Sequence, residues 1–383
     1  MVTKKKKLSV IAICMTLVIC LFAGCGAKGD KSAEKKDADS KKLKVVTTIF
    51  PAYDWTKNVM GKRAEDADIT MLLDNGVDLH SYQPSAKDIA KISECDVFVY
   101  VGGESDGWVK DALKEATNKK MVVINLMDKL GNSVKNEEIK EGMEKGHHHH
   151  DHDDKDHDDK DHDHDKDHDD KDHDHDKDHD DKDHDHDKDH DDKDHDHDHE
   201  HGDKPEKDEH VWLSVKNAKV CSAEIAKALQ KVDPENKDEY KKNLKAYSDK
   251  LTALDKEYKK VVDSSKKKTL VFGDRFPFRY MVSDYNIDYF AAFVGCSAES
   301  EASFKTIKFL AEKVNELGLK HIMTIEKSDK KIAKTIIKNT KSKKQDVLTM
   351  DSMQSTTAKD VEGGADYLEI MKKNLEVLKK ALN

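Results

Sequence analysis

Between residues 43 and 126 the apolar positions gather into four short runs, KVVTTI, ITMLL, DVFVYV and MVVINL, each bounded by polar turn residues. Nearly continuous apolar runs of this length predict strands buried on both faces, the signature of a parallel sheet. The intervening segments YDWTKNVMG and SAKDIAKISE carry apolar residues at helical spacing, and the second opens on Pro84-Ser85 with Asp88 three residues after the serine, a capping-box signal. Residues 215–264 read as a long charged helical stretch that Pro234 divides in two, because proline interrupts the backbone ladder. The alternation then resumes with TLVFGD, IDYFAAF, HIMTI and DVLTM, interleaved with helical periods at 304–317, 330–340 and 367–382. The pattern predicts an α/β protein with two lobes, each a mostly parallel sheet flanked by helices, joined by a long connecting helix. The N-terminal lobe is expected at 43–146, its end and the connecting helices at 210–266, and the C-terminal lobe at 267–383. Ligands of open α/β sheets bind beyond the carboxyl ends of the strands, so two facing lobes should form a cleft there.

Two segments break this alternation. At the N-terminus, four lysines at 4–7 precede an apolar run from Leu8 to Ala23 and then Gly24-Cys25. The run is short for a membrane span and suits an export signal over 1–24. A small residue followed by cysteine resembles the lipobox of bacterial lipoproteins, which implies lipidation of Cys25 and a mature chain held at the outer face of the cytoplasmic membrane. Phe22 stands where that motif has leucine, with Leu21 one place early. The polar stretch 25–42 reads as a flexible tether.

The second break, 147–209, holds 19 of the 22 histidines: His147, His148, His149, His150, His152, His157, His162, His164, His168, His173, His175, His179, His184, His186, His190, His195, His197, His199 and His201. It repeats with a period of 11, as at His168, His179 and His190, but offers no apolar position from which a coiled coil could be built. Residues 151–200 alone carry 27 Asp, one Glu and 8 Lys, a charge of −20 against −11 for the whole chain, so the remainder is positive by 9. Such a segment cannot offset its ordering entropy and is expected to be disordered. Crowded imidazoles beside carboxylates suit a loose collector of many weak metal sites, serving capture, buffering or pH sensing, with metal released as pH falls through about 6.5.

Candidate ligands for a single tight site lie at the strand ends. His80 follows ITMLL in the loop VDLHSYQPSAKD, and His210 opens HVWLSVKNA. After Cys25 only Cys95, Cys221 and Cys296 remain, too widely spaced for a disulfide framework or a CxxC knuckle; Cys95 reads as a buried thiol, and metal binding is expected to rest on histidine and carboxylate.

The succession TTIFPAYDW, VDLHSYQPSAKD, GWVKDAL, a His-rich insert, HVWLSVKNA and YLEIMKKNLEVLKKAL resembles the metal-binding class of ABC-transporter substrate-binding lipoproteins, over nearly all of 43–383. The resemblance implies two α/β lobes joined by a rigid helix, one zinc or manganese ion held between them, and delivery of that ion to a permease in the cytoplasmic membrane, with the receptor a monomer. It implies that His80 and His210 are the N-lobe ligands and that Asp351, in VLTMDSM, is a C-lobe ligand. The remaining family ligand, a His or Glu after the first C-lobe strand, aligns with Gly273 in TLVFGDRFPFRYM. Asp274 beside it is the first substitute, unless it pairs with Arg275 or Arg279; Glu299, Glu301 and Glu326 are the alternatives. His321 precedes a strand and sits at the wrong end for the cleft. Imidazoles with one or two carboxylates, next to a His-rich loop, favour Zn²⁺; a more oxygen-rich site would suit Mn²⁺.

Other classes fit less well. A zinc hydrolase needs an open coordination position and a general base, typically on an H-E-x-x-H helix, and neither that motif nor G-x-S-x-G occurs, so no enzyme is expected. A surface metal store or adhesin without a transport partner remains as the alternative reading. Nucleic-acid binding is not expected, because the positive charge is scattered as single lysines and the tract would repel phosphate.

Overall fold

The computed structural model describes residues 42–144, 206–297 and 301–383. The first sheet is built from β1 (Lys44–Thr47), β2 (Asp68–Met71), β3 (Val97–Tyr100) and β4 (Val122–Asn125), in the order β2-β1-β3-β4 and parallel throughout. Helices α1 (Phe50–Met60), α2 (Ala86–Glu94) and α3 (Val109–Lys114) connect them, and α4 (Leu126–Leu130) follows β4. The capping box read at α2 is present: the Ser85 side chain accepts from Asp88 N, and the Asp88 carboxylate accepts from Ser85 N.

Two long helices follow, α5 (Val215–Val232) and α6 (Lys237–Ser264), separated by a 3-10 turn that Pro234 opens. With 28 residues, α6 is roughly 40 Å long. The second sheet, ordered β6-β5-β7-β8 and also parallel, comprises β5 (Thr269–Phe276), β6 (Asp288–Val294), β7 (His321–Ile325) and β8 (Asp346–Met350). Its helices are α7 (Arg279–Tyr285), α8 (Phe304–Leu317), α9 (Lys331–Asn339), α10 (Ala358–Glu362) and α11 (Tyr367–Ala381). The architecture is the two-lobed parallel α/β fold that the alternation predicts.

The lobes share one hydrophobic core. It runs from Val45, Phe98 and Trp55 in the first lobe through Trp212, Tyr240 and Tyr258 to Phe272, Met350 and Tyr367 in the second. Helix α6 packs on α1 and α5 and also on α7 and α11, so a single rigid rod is part of both lobes. Polar anchors cross the seam as well: Trp212 Nε1 donates to Ser352 O at 2.8 Å, Tyr367 Oη to Trp212 O at 2.7 Å, and Tyr258 Oη to Met371 O at 2.6 Å. A second, smaller cluster under α8 and α9 seals the outer face of the C-terminal sheet.

Asp54 on α1 is buried in this shared region beside Tyr247 of α6, with Asn58 Nδ2 donating to its carboxylate at 3.0 Å. Burial, reinforced by the Asp366 charge, pushes its pKa up to about 7. A carboxyl raised in the folded state stabilises the fold below its unfolded pKa, and that contribution is lost as pH rises through about 7. Asp54→Asn should therefore be more stable than the parent at pH 8 by ~2–4 kcal/mol, with the gap closing by about pH 4, as measured by urea unfolding across that range.

Candidate metal centre

Five strand ends converge where the lobes meet. From the first lobe come the loop after β2, with a 3-10 turn at Leu79–Ser81 that carries His80, and the loop after β3, which carries Ser105. The chain re-enters at 206–210, running directly into a second 3-10 turn, Val211–Leu213, that leads into α5. Asn136 and Lys207 form a bridge, Asp208 N donates to Lys135 O at 2.9 Å, and Tyr280 Oη donates to Asp208 O at 2.6 Å. The last residues of the segment expected at 147–209 are thus packed, with Asp208 and Glu209 buried. The second lobe contributes the residues after β6, β7 and β8.

His210 is fully buried and His80 largely so. Their Nε2 atoms face each other at 3.2 Å. Each ring is held from behind. His210 Nδ1 donates to Asp208 Oδ1 at 3.0 Å, and the same oxygen accepts His210 N at 2.9 Å. His80 Nδ1 lies 2.8 Å from Ser105 Oγ and 3.4 Å from Glu209 Oε2, while Glu209 Oε1 accepts Ser105 N at 2.9 Å. A side chain at Gly103 would collide with that carboxylate, its Cβ falling 2.3 Å from Glu209 Oε1. Burial works against charge on His80, but the Glu209 and Asp78 carboxylates outweigh it and raise the imidazole pKa. Glu209 in turn is held low: burial is overcome by its bonds with His80 and Ser105.

A third ligand atom joins the pair. Cys296 Sγ and the two imidazoles offer donor atoms that all lie within 4.8 Å of one another, the one such group of three found among the described residues. The thiol is pushed far up by burial, then by Glu137 and Asp208. Gln354, after β8, donates from Nε2 to His210 Nε2 at 2.7 Å. The sequence placed metal binding on histidine and carboxylate alone, and the structure sets Cys296 beside the two imidazoles.

The other predicted residues stand apart from this cluster. Gly273 lies inside β5, where an added Cβ would sit 2.6 Å from Ala333 Cα, so packing against α9 leaves no room for any side chain there. A register shift between Phe272 and Arg275 follows it. Asp274 Oδ1 accepts Arg275 N at 2.9 Å and Oδ2 accepts Ile325 N at 3.4 Å. The shift turns Arg275 toward the first lobe, where its guanidinium pairs with Asp78 at 2.9 Å across the cleft. Asp351 Oδ1 accepts Met353 N at 2.8 Å, and burial, then the Glu326 charge, pushes its pKa up to about 6. Glu326 itself accepts Ser352 N and Ser352 Oγ, both at 2.7 Å. Glu301 is exposed, and His321 begins β7, away from the cleft, as expected. Cys95 is buried, as read. Glu299, Cys25 and the histidines of 147–201 lie outside the described residues.

Residues 45–381 match the family model described as zinc-uptake complex component A, periplasmic. The chain is 30% identical over 375 residues to a zinc-binding protein AdcA of Streptococcus pyogenes, covering 98% of this chain but 61% of that protein. It spans about three fifths of the length of that relative. It is 29% identical to the high-affinity zinc uptake system protein ZnuA of Bacillus subtilis, over 100% of this chain and 99% of that one. Among solved structures, the Zn(II)-bound ZnuA-like domain of Streptococcus pneumoniae AdcA superposes with a TM-score of 0.59 at 26% identity, covering 89% of this chain and 99% of that one.

The Asp78–Arg275 pair is partly exposed, so removing it should cost at most ~1 kcal/mol of stability. Arg275→Ala is expected to leave the unfolding midpoint nearly unchanged while raising hydrogen exchange in the 78–82 loop, read by mass spectrometry.

Proposed function

Because the chain belongs to the zinc-uptake complex component A family, we propose that it is an extracytoplasmic zinc-binding receptor of an ABC importer. It holds one Zn²⁺ in the seam between its lobes, with His80 and His210 as ligands, and delivers it to a permease in the cytoplasmic membrane. It is a receptor and not an enzyme, and it works as a monomer tethered through a lipidated Cys25.

The observation that carries this reading is the pair of imidazoles meeting Nε2 to Nε2 at 3.2 Å, each with Nδ1 against a buried carboxylate. Zinc-ligating histidine characteristically gives its second ring nitrogen to such a carboxylate, which fixes the tautomer and raises ligand basicity. The separation also fits: two nitrogens at about 2.0–2.1 Å from a tetrahedral zinc are roughly 3.3 Å apart. A proton or a cation between the rings relieves two lone pairs that otherwise face each other.

The histidine tract has a plain role beside such a site. Its flanks are pinned next to the cleft, since Glu137 N donates to Glu206 O at 2.8 Å and Asp208 N to Lys135 O at 2.9 Å. Zinc gathered weakly by many imidazoles is then concentrated at the mouth of one tight site.

Calorimetric titration with zinc tests both parts. The parent should show one tight site and many weak ones, and a chain lacking residues 147–201 should keep the tight site alone. His80→Ala and His210→Ala should each abolish it, and Asp208→Asn should weaken it ~10–100-fold. A tight site that survives His210→Ala, or that disappears with the tract, would overturn the assignment.

A further inference from the structure

We propose that Cys296 supplies a thiolate ligand to the bound zinc, so that the C-terminal lobe closes the site with sulfur. The proposal rests on the zinc-receptor reading above and deepens it, by assigning the third donor and, through it, the preference for zinc over harder cations.

Three observations bear on it independently. The first is the cluster itself: two ring nitrogens and Sγ, drawn from both lobes, all within 4.8 Å of one another. A zinc with ligands at about 2.0–2.1 Å for nitrogen and 2.3 Å for sulfur needs nitrogen and sulfur roughly 3.6 Å apart, so closing requires a movement of only about 1 Å. The second is Gly295. Its absent side chain is what lets the strand end approach: a Cβ there would fall 2.9 Å from His210 Cε1 and 3.0 Å from Nδ1. The backbone lies flush on the ligand ring and carries the next residue into the cluster, while Glu137 Oε1 accepts Cys296 N at 3.1 Å and holds it there.

The third is the state of the carboxylates that would otherwise close the site. Asp351, Asp274 and Glu326 each accept from backbone N–H groups of their own loops or neighbouring strands, and none belongs to the group of donor atoms within 4.8 Å of one another. Gly273 cannot be replaced by a ligand without displacing Ala333. Among the described residues no carboxylate of the C-terminal lobe joins the two imidazoles in such a group, and the Cys296 thiol does.

The coordination step is simple. The Cys296 S–H bond gives up its proton to solvent as the Zn–S bond forms, with no change of oxidation state. A His₂Cys donor set is soft and poor in oxygen, which suits zinc and disfavours manganese, magnesium and calcium.

Cobalt(II) bound to the full chain in place of zinc tests the assignment, because a cobalt–thiolate bond has its own near-ultraviolet charge-transfer absorption. The histidine tract contains no cysteine and cannot contribute to that signal. The parent should show the band at one equivalent of cobalt. Cys296→Ser should lose it while still binding cobalt through His80 and His210, and its zinc affinity should fall by more than the ~10–100-fold typical of a change behind the ligands. Cys95→Ser should keep the band. Tight cobalt binding by the parent without the band, or a band that survives Cys296→Ser, would overturn the sulfur ligand and leave the zinc receptor standing. A parent that binds neither cobalt nor zinc tightly would overturn both.

Discussion

The seam is organised around one constraint, the meeting of two imidazole Nε2 atoms in a place that water hardly reaches. When each Nδ1 carries its proton toward the groups behind it, the tautomer a metal ligand needs, His80 and His210 both present an unprotonated Nε2 across 3.2 Å. Two acceptors at that distance repel, and a low local dielectric magnifies the repulsion. Without metal the relief is a hydrogen bond: the one lone pair of His210 Nε2 accepts either from His80 Nε2 at 3.2 Å or from Gln354 Nε2 at 2.7 Å. A divalent cation relieves the same clash more completely. The carboxylates Asp208 and Glu209 thus favour positive charge between the rings in whichever form it arrives.

That geometry is affordable only because the surroundings are rigid. His210 is followed immediately by Val211, Trp212 and Leu213, all buried in the core that both lobes share, and α5 continues from them as part of the same wall. His80 sits on a turn whose backbone is tied by Asp78, and Asp78 in turn holds Arg275 of the opposite lobe. With α6 packed on helices of both lobes, the relative position of the two strand-end clusters is set by hydrophobic packing, which is stiff.

The fold was legible because its signal is local. Apolar runs and helical periods gave all eight strands and the longer helices, Pro234 gave the break between α5 and α6, and Ser85 with Asp88 gave a cap. Helices α3, α4 and α10 have only five or six residues, too few for a period to declare itself, and α7 follows the crowded sequence FPF. Within the site, His80 and His210 could be read because histidine at a strand end is chemically conspicuous. Asp208 and Glu209 could not, because two carboxylates after an acidic tract look like its continuation. The signal available was their adjacency to His210 and the abrupt return of apolar residues in VWL. Cys296 was hidden for another reason: its partners come from the other lobe, and only the glycine beside it hinted at a close approach.

Charge, too, favours sulfur over oxygen as a C-lobe donor. Asp208, Glu209 and Glu137 already surround the cluster, and a further ligating carboxylate would add a strongly hydrated group to a buried site. A thiol stays neutral while the site holds no metal, and becomes an anion when a cation is there to pair with it. It therefore avoids an unpaired buried charge in the one state and supplies a strong donor in the other. A thiol donor thus keeps the metal-free form stable and builds no oxygen cage that magnesium or calcium could enter. Arg275, where the β5 register shift places it, is turned to Asp78 and spans the cleft.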